Sequence, residues 1–349
     1  MSSTVLGLLI VLCGGLFQGS FLAPSKWVRG WAWENYWLIF ALTAYLVSPW
    51  VVALLVVPNL WEIYRGTDRQ DIAQLLIFGT GWGIGAVTFG LGVEAIGLAL
   101  GFAIILGMSA TAGTLIPLLV KPPANFSSLQ VTMTGLSLLL LLAGVAVCSF
   151  AGKWKETQSG QGHARSYRAG VLICIVSGLL SACGSFGFAF ADELKARAIS
   201  LEVPGMVASN LVWPLLGLPL FICNAGYALY LLNKRRTFGE YRNNFGRNFA
   251  LSLSMGLMWL AGMVFYGAGA FRLGALGPSL GWAMLMSSMV LVANVLGILT
   301  GEWEGAPPTS RKQLGLGVLL LVLAIAGLGY ANQLQQVKSS DDVAFKSRT

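Results

Sequence analysis

Three charged residues sit where the sequence passes from polar loop to apolar run: Lys26, Glu34 and Asp192. A carboxyl group at such a border is a candidate proton carrier, because partial desolvation raises its pKa and a nearby cation lowers it. Glu34 opens a long apolar stretch close to Lys26 and is the first candidate; Asp192 closes another stretch and is the second. Other chemistry is offered by amides and rings inside the apolar runs. Gln18, Asn210, Asn224 and Asn294 could pair with hydroxyl groups, and Trp82, Trp259 and Trp282 could stack on the flat apolar face of a sugar. Each amide has a second reading as a bond to a neighbouring helix, and each ring as packing. On the first reading Gln18, Trp82, Asn210, Asn224, Trp259, Tyr266 and Asn294 face one central cavity.

Other chemistry is poorly served. No nucleophile–base constellation and no His-Glu-x-x-His pattern is present, and His163, the single histidine, falls in a polar linker. Neither an enzyme nor a metal nor an organic cofactor is expected. Gly81-Trp-Gly-Ile-Gly85 with Gly90 resembles a dinucleotide loop, but it lies inside an apolar run with no preceding strand. The five cysteines all fall in apolar runs and read as small packing residues.

The elements that must position these residues follow from composition. Hydrophobic residues make up 56% of the chain and charged residues 10%, against about 25% charged in soluble domains. This composition predicts an all-α, polytopic membrane protein whose partner is the bilayer; the net charge of +8 reads as cationic loops rather than a nucleic-acid site. Ten stretches meet the length needed to cross hydrocarbon: about 4–23, 36–57, 72–93, 95–119, 130–150, 169–190, 206–232, 249–270, 276–299 and 313–333. The first lacks the basic start and small-residue cleavage site of a signal peptide and is expected to be retained. Pro49 and Pro117 are expected to interrupt spans two and four, and Pro214 and Pro219 to make span seven the least regular.

The stretch from Gly79 to Gly101 recurs 177 positions later: Trp82 falls on Trp259, Gly85 on Gly262, Phe89 on Tyr266 and Gly90 on Gly267. A weaker match at an offset of 169 brings Phe17 onto Phe186 and Lys26 onto Lys195. Such self-similarity indicates duplication. The expected organisation is a first five-helix repeat over 1–150, a polar cytoplasmic linker over 151–168, a second five-helix repeat over 169–333 and a disordered tail over 334–349. With five spans per repeat, the second must enter the membrane from the opposite side, as in secondary transporters with a site near the midplane. Loops after spans one, five, seven and nine hold thirteen Lys and Arg, the opposite loops six. The thirteen are therefore assigned to the cytoplasm and both termini to the outside.

One run is family-specific. Phe21 to Glu34, FLAPSKWVRGWAWE, together with Trp37, Pro58-Asn-Leu-Trp61, Trp82-Gly-Ile-Gly85, Gly113-Thr-Leu115, Gly256-Leu-Met-Trp259, Tyr266 and Glu302-Trp303, resembles the L-rhamnose–proton symporter family of the drug/metabolite transporter superfamily. The resemblance extends from span one to span ten. It implies ten helices and proton-driven uptake of L-rhamnose or a related deoxyhexose across a bacterial inner membrane. Span six and the segment from Asn210 to Pro219 depart from the pattern. The alternative is an exporter or exchanger of metabolites or drugs from the same superfamily. A channel or sensor is disfavoured, since nothing resembles a filter.

Overall fold

The computed structural model describes residues 3–123, 126–157, 167–301 and 303–346, and these are helical with no strand among them. Helices are what a bilayer demands, since each backbone N–H and C=O must be satisfied within its own segment. In the first half, α1 (Ser3–Ser20) leads through a short 3₁₀ turn to α2 (Trp33–Ala41), a π-helical segment Leu42–Val47 and α3 (Ser48–Val56). There follow α4 (Leu60–Gly66), α5 (Arg69–Ile96), α6 (Leu98–Val120) and α7 (Ser128–Thr157). The second half holds α8 (Tyr167–Ser181), α9 (Cys183–Phe190), α10 (Asp192–Ser200), α11 (Gly205–Ala208) and α12 (Val212–Arg235). A 3₁₀ segment, Thr237–Arg242, then precedes α13 (Phe245–Leu273), α14 (Gly277–Leu299) and α15 (Pro308–Lys346).

Nine stretches among the described residues are long and apolar enough to cross a membrane. The longest, Phe245–Leu299, contains both α13 and α14, joined by a turn at Gly274–Leu276. Helices also run past the apolar stretches. α7 reaches Thr157 and α8 begins at Tyr167, so much of the segment read as linker is helical; residues 158–166, with His163, lie outside the described residues. α15 continues to Lys346 through most of the segment read as a disordered tail. Extending a formed helix avoids the cost of nucleation.

Of the prolines expected to break spans, Pro49 does so and the others do not. α12 is continuous through Pro214 and Pro219, and α6 through Pro117. Pro214 lies in the first turn, where its missing N–H has no helical acceptor. Span seven is irregular at its start, where α11 and a 3₁₀ turn, Ser209–Leu211, precede α12, and span two carries a π segment beside Pro49. Pro49 cannot supply the N–H that would close a regular turn on Tyr45 O, Ser48 N–H bonds back to Thr43 O, and Ser48 Oγ donates to the same oxygen at 2.6 Å. Gly217 of α12 meets this segment: a Cβ there would lie 2.2 Å from Tyr45 O. Only glycine allows the two backbones so close.

The packing partners of the two halves correspond. α1 lies on α13 and α14, while α8 lies on α5 and α6. α12 crosses α5, while α13 crosses α2 and the π segment; α7 runs along α15, and α6 meets α14. The buried centre holds Phe40, Leu216, Met255, Tyr266 and Trp282.

Candidate functional site

A column of aromatic rings crosses the interface between the halves. From one end it runs Trp33–Trp37 (4.9 Å between centroids), Trp37–Phe40 (4.5 Å), Phe40–Tyr45 (5.3 Å) and Tyr45–Trp259 (4.8 Å). It continues Trp259–Trp82 (5.6 Å), Trp82–Trp282 (6.1 Å), Trp282–Tyr266 (5.6 Å) and Tyr266–Phe188 (4.9 Å), and Phe188 stacks on Trp213 at 5.3 Å. These spacings are those of attractive ring pairs. Two of the polar edges are tied down: Trp282 Nε1 donates to Ser109 O at 3.3 Å, and Tyr266 OH to Pro278 O at 2.7 Å. Gly184 seats the central ring, since a Cβ there would meet the Trp82 indole at 2.9 Å.

At the Phe188 end the column meets a cavity of ≈ 510 Å³ lined by α6, α9, α10, α11, α13 and α14. Its lining is mainly apolar, with Ser209, Ser279, Lys121, Asp192 and Lys195 as polar members. Such a lining suits a small ligand that needs a few directed hydrogen bonds. Asp192 bridges Lys121 and Lys195, each at 3.1 Å, and the side chains of Asp192 and Lys121 are 60% and 51% exposed, so the cavity opens here. Lys195 is held further in, donating to Phe188 O at 3.0 Å with its Nζ 4.8 Å from the Phe188 ring centroid.

The opposite end is shut by a polar seal. Glu34, 0% exposed, accepts from Arg235 Nη1 at 3.1 Å and from Thr237 Oγ1 at 2.9 Å. Around it, Asn35 Nδ2 donates to Thr237 O, Tyr241 OH donates to Asn35 O, and Ala32 N–H donates to Glu240. Burial, and then the Glu34 charge, push the Tyr241 hydroxyl up to about 12. The start of α2 is thereby bound to the segment between α12 and α13.

The structure distributes the sequence candidates unevenly. Trp82, Trp259 and Tyr266 meet in the column, and Gln18 Nε2 donates to Trp259 O at 2.8 Å, joining α1 to α13 beneath it. Asn210 lies beside the cavity, next to Ser209, with Nδ2 donating to Val207 O. Asn224 lies toward the sealed end, donating to Leu220 O and accepting from Trp37 Nε1 at 3.2 Å. Asn294 bonds Val290 O and lines a second cavity of ≈ 390 Å³ together with Lys26. One expectation is corrected here: the cation on Glu34 is Arg235, not Lys26, whose Nζ reaches Thr300 Oγ1 at 3.1 Å. The 3₁₀ turn at Ala23–Trp27 carries Lys26 away from α2. Sequence reading missed Arg235, Thr237, Phe188 and Trp213. Arg235 stood only as one of three adjacent cations, some two hundred residues from Glu34.

A family model for the L-rhamnose-proton symport protein, RhaT, matches residues 1–332. The chain belongs to that family. Similar proteins include the L-rhamnose-proton symporter of Cronobacter sakazakii, 32% identical over 95% of this chain and 99% of the relative. Those of Escherichia coli and Shigella boydii are 28% identical over 95% of this chain and 100% of their own length. Within this RhaT-family chain, the run from Phe21 to Glu34 that carries the resemblance enters the sealed end, and Trp37 stands at the start of the aromatic column. Glu302 lies outside the described residues.

Proposed function

We propose that the chain carries L-rhamnose, or a deoxyhexose close to it, across a bacterial inner membrane together with a proton. The observation that carries this reading is the ≈ 510 Å³ cavity ending on the aromatic column, with an acid at its mouth and a buried acid at the far end. Family membership and the relatives' names support it, and they disfavour the exporter or exchanger reading. In this reading Trp82 and Trp259 form the sugar platform, backed by Tyr266 and held by Gln18. Asn210 offers a hydrogen bond, Asn224 acts through Trp37, and Asn294 with Lys26 belongs to the path at the sealed end. Glu34 is the first choice for proton carrier and Asp192 the second. Neutralising Glu34 removes the charge that draws Arg235 onto α2, so protonation loosens the seal; coupling then follows if sugar prefers one of the two states.

The architecture proposed is ten spans, with α13 and α14 counted separately, in two inverted five-span repeats over 1–150 and 169–333, joined by 151–168 and followed by the tail 334–349. The corresponding packing of α1 on α13 and α8 on α5 supports it. So does a pair of matched bonds: Tyr64 OH donates to Leu211 O at 2.8 Å, and Tyr241 OH to Asn35 O at 3.0 Å. These tyrosines are 177 positions apart and their acceptors 176. The excess of Lys and Arg puts the Glu34 end in the cytoplasm, both termini outside and the larger cavity facing outward.

Adding L-rhamnose to a weakly buffered suspension of cells making the protein should raise the external pH as labelled sugar enters. Uptake without alkalinisation overturns proton coupling; absence of uptake overturns the substrate.

A further inference from the structure

Two buried polar atoms near the larger cavity have no protein partner: Asn210 Oδ1 and Trp213 Nε1. The residues are 4% and 2% exposed. Asn210 commits its amide nitrogen to Val207 O at 3.0 Å, leaving the oxygen as the available acceptor. They stand three positions apart where the 3₁₀ turn Ser209–Leu211 enters α12, a spacing that places side chains on one face. An unmet acceptor and an unmet donor on one face match a hydroxyl group, which donates once and accepts as well.

The corresponding places in the first half show what is distinctive. At an offset of 176, Glu34 falls on Asn210 and Trp37 on Trp213. There every group is met: Glu34 by Arg235 and Thr237, and Trp37 Nε1 by Asn224 Oδ1 at 3.2 Å. The position matching Asn224 is Ser48, whose short side chain donates to Thr43 O in the π segment. Trp213 therefore lacks the partner that its counterpart has.

The pair lies one ring behind the cavity wall. Phe188 lines the cavity and stacks on Trp213 with planes 13° apart, and Ser209, the neighbour of Asn210, lines it too. We infer that Asn210 and Trp213 form a hydroxyl subsite of the sugar site, reached when the Phe188 ring turns aside. One sugar hydroxyl donates to Asn210 Oδ1 and accepts from Trp213 Nε1. This rests on the reading of the chain as a sugar transporter and adds to it a residue that selects the sugar. A site whose buried groups await a hydroxyl rejects the analogue that lacks it, because both groups are then left unpaired.

The test is binding of L-rhamnose and its monodeoxy analogues to the purified full-length protein, followed calorimetrically for wild type, Trp213→Phe and Asn210→Ala. Trp213→Phe keeps an aromatic ring facing Phe188 and removes the donor together with the pyrrole half of the indole; the loss of packing acts on every sugar alike, the loss of the donor on one hydroxyl. Wild type should bind one analogue roughly 5- to 150-fold more weakly than the parent sugar. Trp213→Phe should lose a similar factor for the parent and nothing further for that one analogue, and Asn210→Ala should single out the same analogue. Equal weakening across all sugars makes Trp213 a packing residue and overturns the subsite, as does unchanged affinity throughout. If Trp213→Phe does not fold, the analogue profile of Asn210→Ala decides alone. Failure of wild type to bind any of the sugars overturns the sugar reading itself, and the subsite with it.

Discussion

Trp82 and Trp259, 177 positions apart in the chain, touch each other: their indole centroids are 5.6 Å apart and their planes tilted by 40°. If the two repeats proposed above are related by an axis, equivalent residues that touch straddle it. In an inverted-repeat transporter that axis crosses the substrate region. Alanine at either position should therefore weaken sugar binding, by roughly 2- to 12-fold if only a ring contact of about 0.5–1.5 kcal/mol is lost. Titration of purified protein with L-rhamnose measures this. Wild-type affinity in both alanine variants would move the sugar away from the axis.

The contact between α12 and the π segment makes a stability prediction. Gly217→Ala puts a Cβ 2.2 Å from Tyr45 O, a backbone atom that moves only with its segment. Overpacking of this kind costs about 1–3 kcal/mol, so the thermal midpoint in detergent should fall. Gly226 lies on the same helix with nothing within 4 Å of its would-be Cβ. Gly226→Ala should leave the midpoint unchanged or raise it slightly, as helix propensity favours alanine. Equal effects of the two substitutions would refute the close-contact account.

What the sequence disclosed, and what it hid, follows from the range of each interaction. Apolar length predicts where helices lie, because crossing hydrocarbon is a local requirement on some twenty successive residues. The same signal divides α13 from α14, because Arg272, Gly274 and Gly277 interrupt the apolar run where one helix ends and the next begins. The break at Pro49 was legible, but Pro214 and Pro219 were weighed by number rather than by position within the turn, and α12 runs through both. The match of Trp82 with Trp259 at a fixed offset was legible in the sequence, though their contact was not. The pairing of Glu34 with Arg235 was not, because nothing local tells which of three adjacent cations crosses to another helix. Trp213 was hidden among apolar residues, its significance lying in a partner that is missing.

The two matched tyrosines should hold opposite ends. Tyr241 ties the segment after α12 to Asn35 at the sealed end, and Tyr64 ties α4 to Leu211 near the open cavity. Tyr241→Phe should shift the protein toward opening at the Glu34 end, and Tyr64→Phe away from it, each by roughly 2- to 12-fold for a neutral bond of about 0.5–1.5 kcal/mol. Alkylation of single cysteines introduced at Ala293 and Ala275, one in each cavity, reports the shift. The Tyr241 pKa is raised to about 12, so its O–H persists below that pH and the bond weakens only as pH rises through it. Any change in opening between pH 5 and 8 that survives in Tyr241→Phe therefore originates elsewhere, and its disappearance in that variant would contradict the assignment.

That leaves the acid. Glu34 is buried with Arg235 on one oxygen and Thr237 on the other, while Asp192 is largely exposed between two lysines. A carrier must change its protonation as access changes, and only Glu34 sits inside the contact that has to break for the sealed end to open. Glu34→Gln keeps the size and the acceptor for Thr237 but fixes the neutral state. Proton-driven accumulation should then be lost, while exchange of labelled sugar at equal concentrations on both sides continues, because exchange needs opening and closing but no net proton movement. Asp192→Asn should retain accumulation, with at most a modest change in affinity, since an exposed ion pair contributes only about 0–1 kcal/mol. Accumulation that survives in Glu34→Gln and fails in Asp192→Asn reverses the assignment; if it survives in both, neither carboxyl carries the proton. Loss of exchange as well as accumulation in Glu34→Gln, with the protein still folded and in the membrane, would mean that Glu34 holds the gate without carrying the proton.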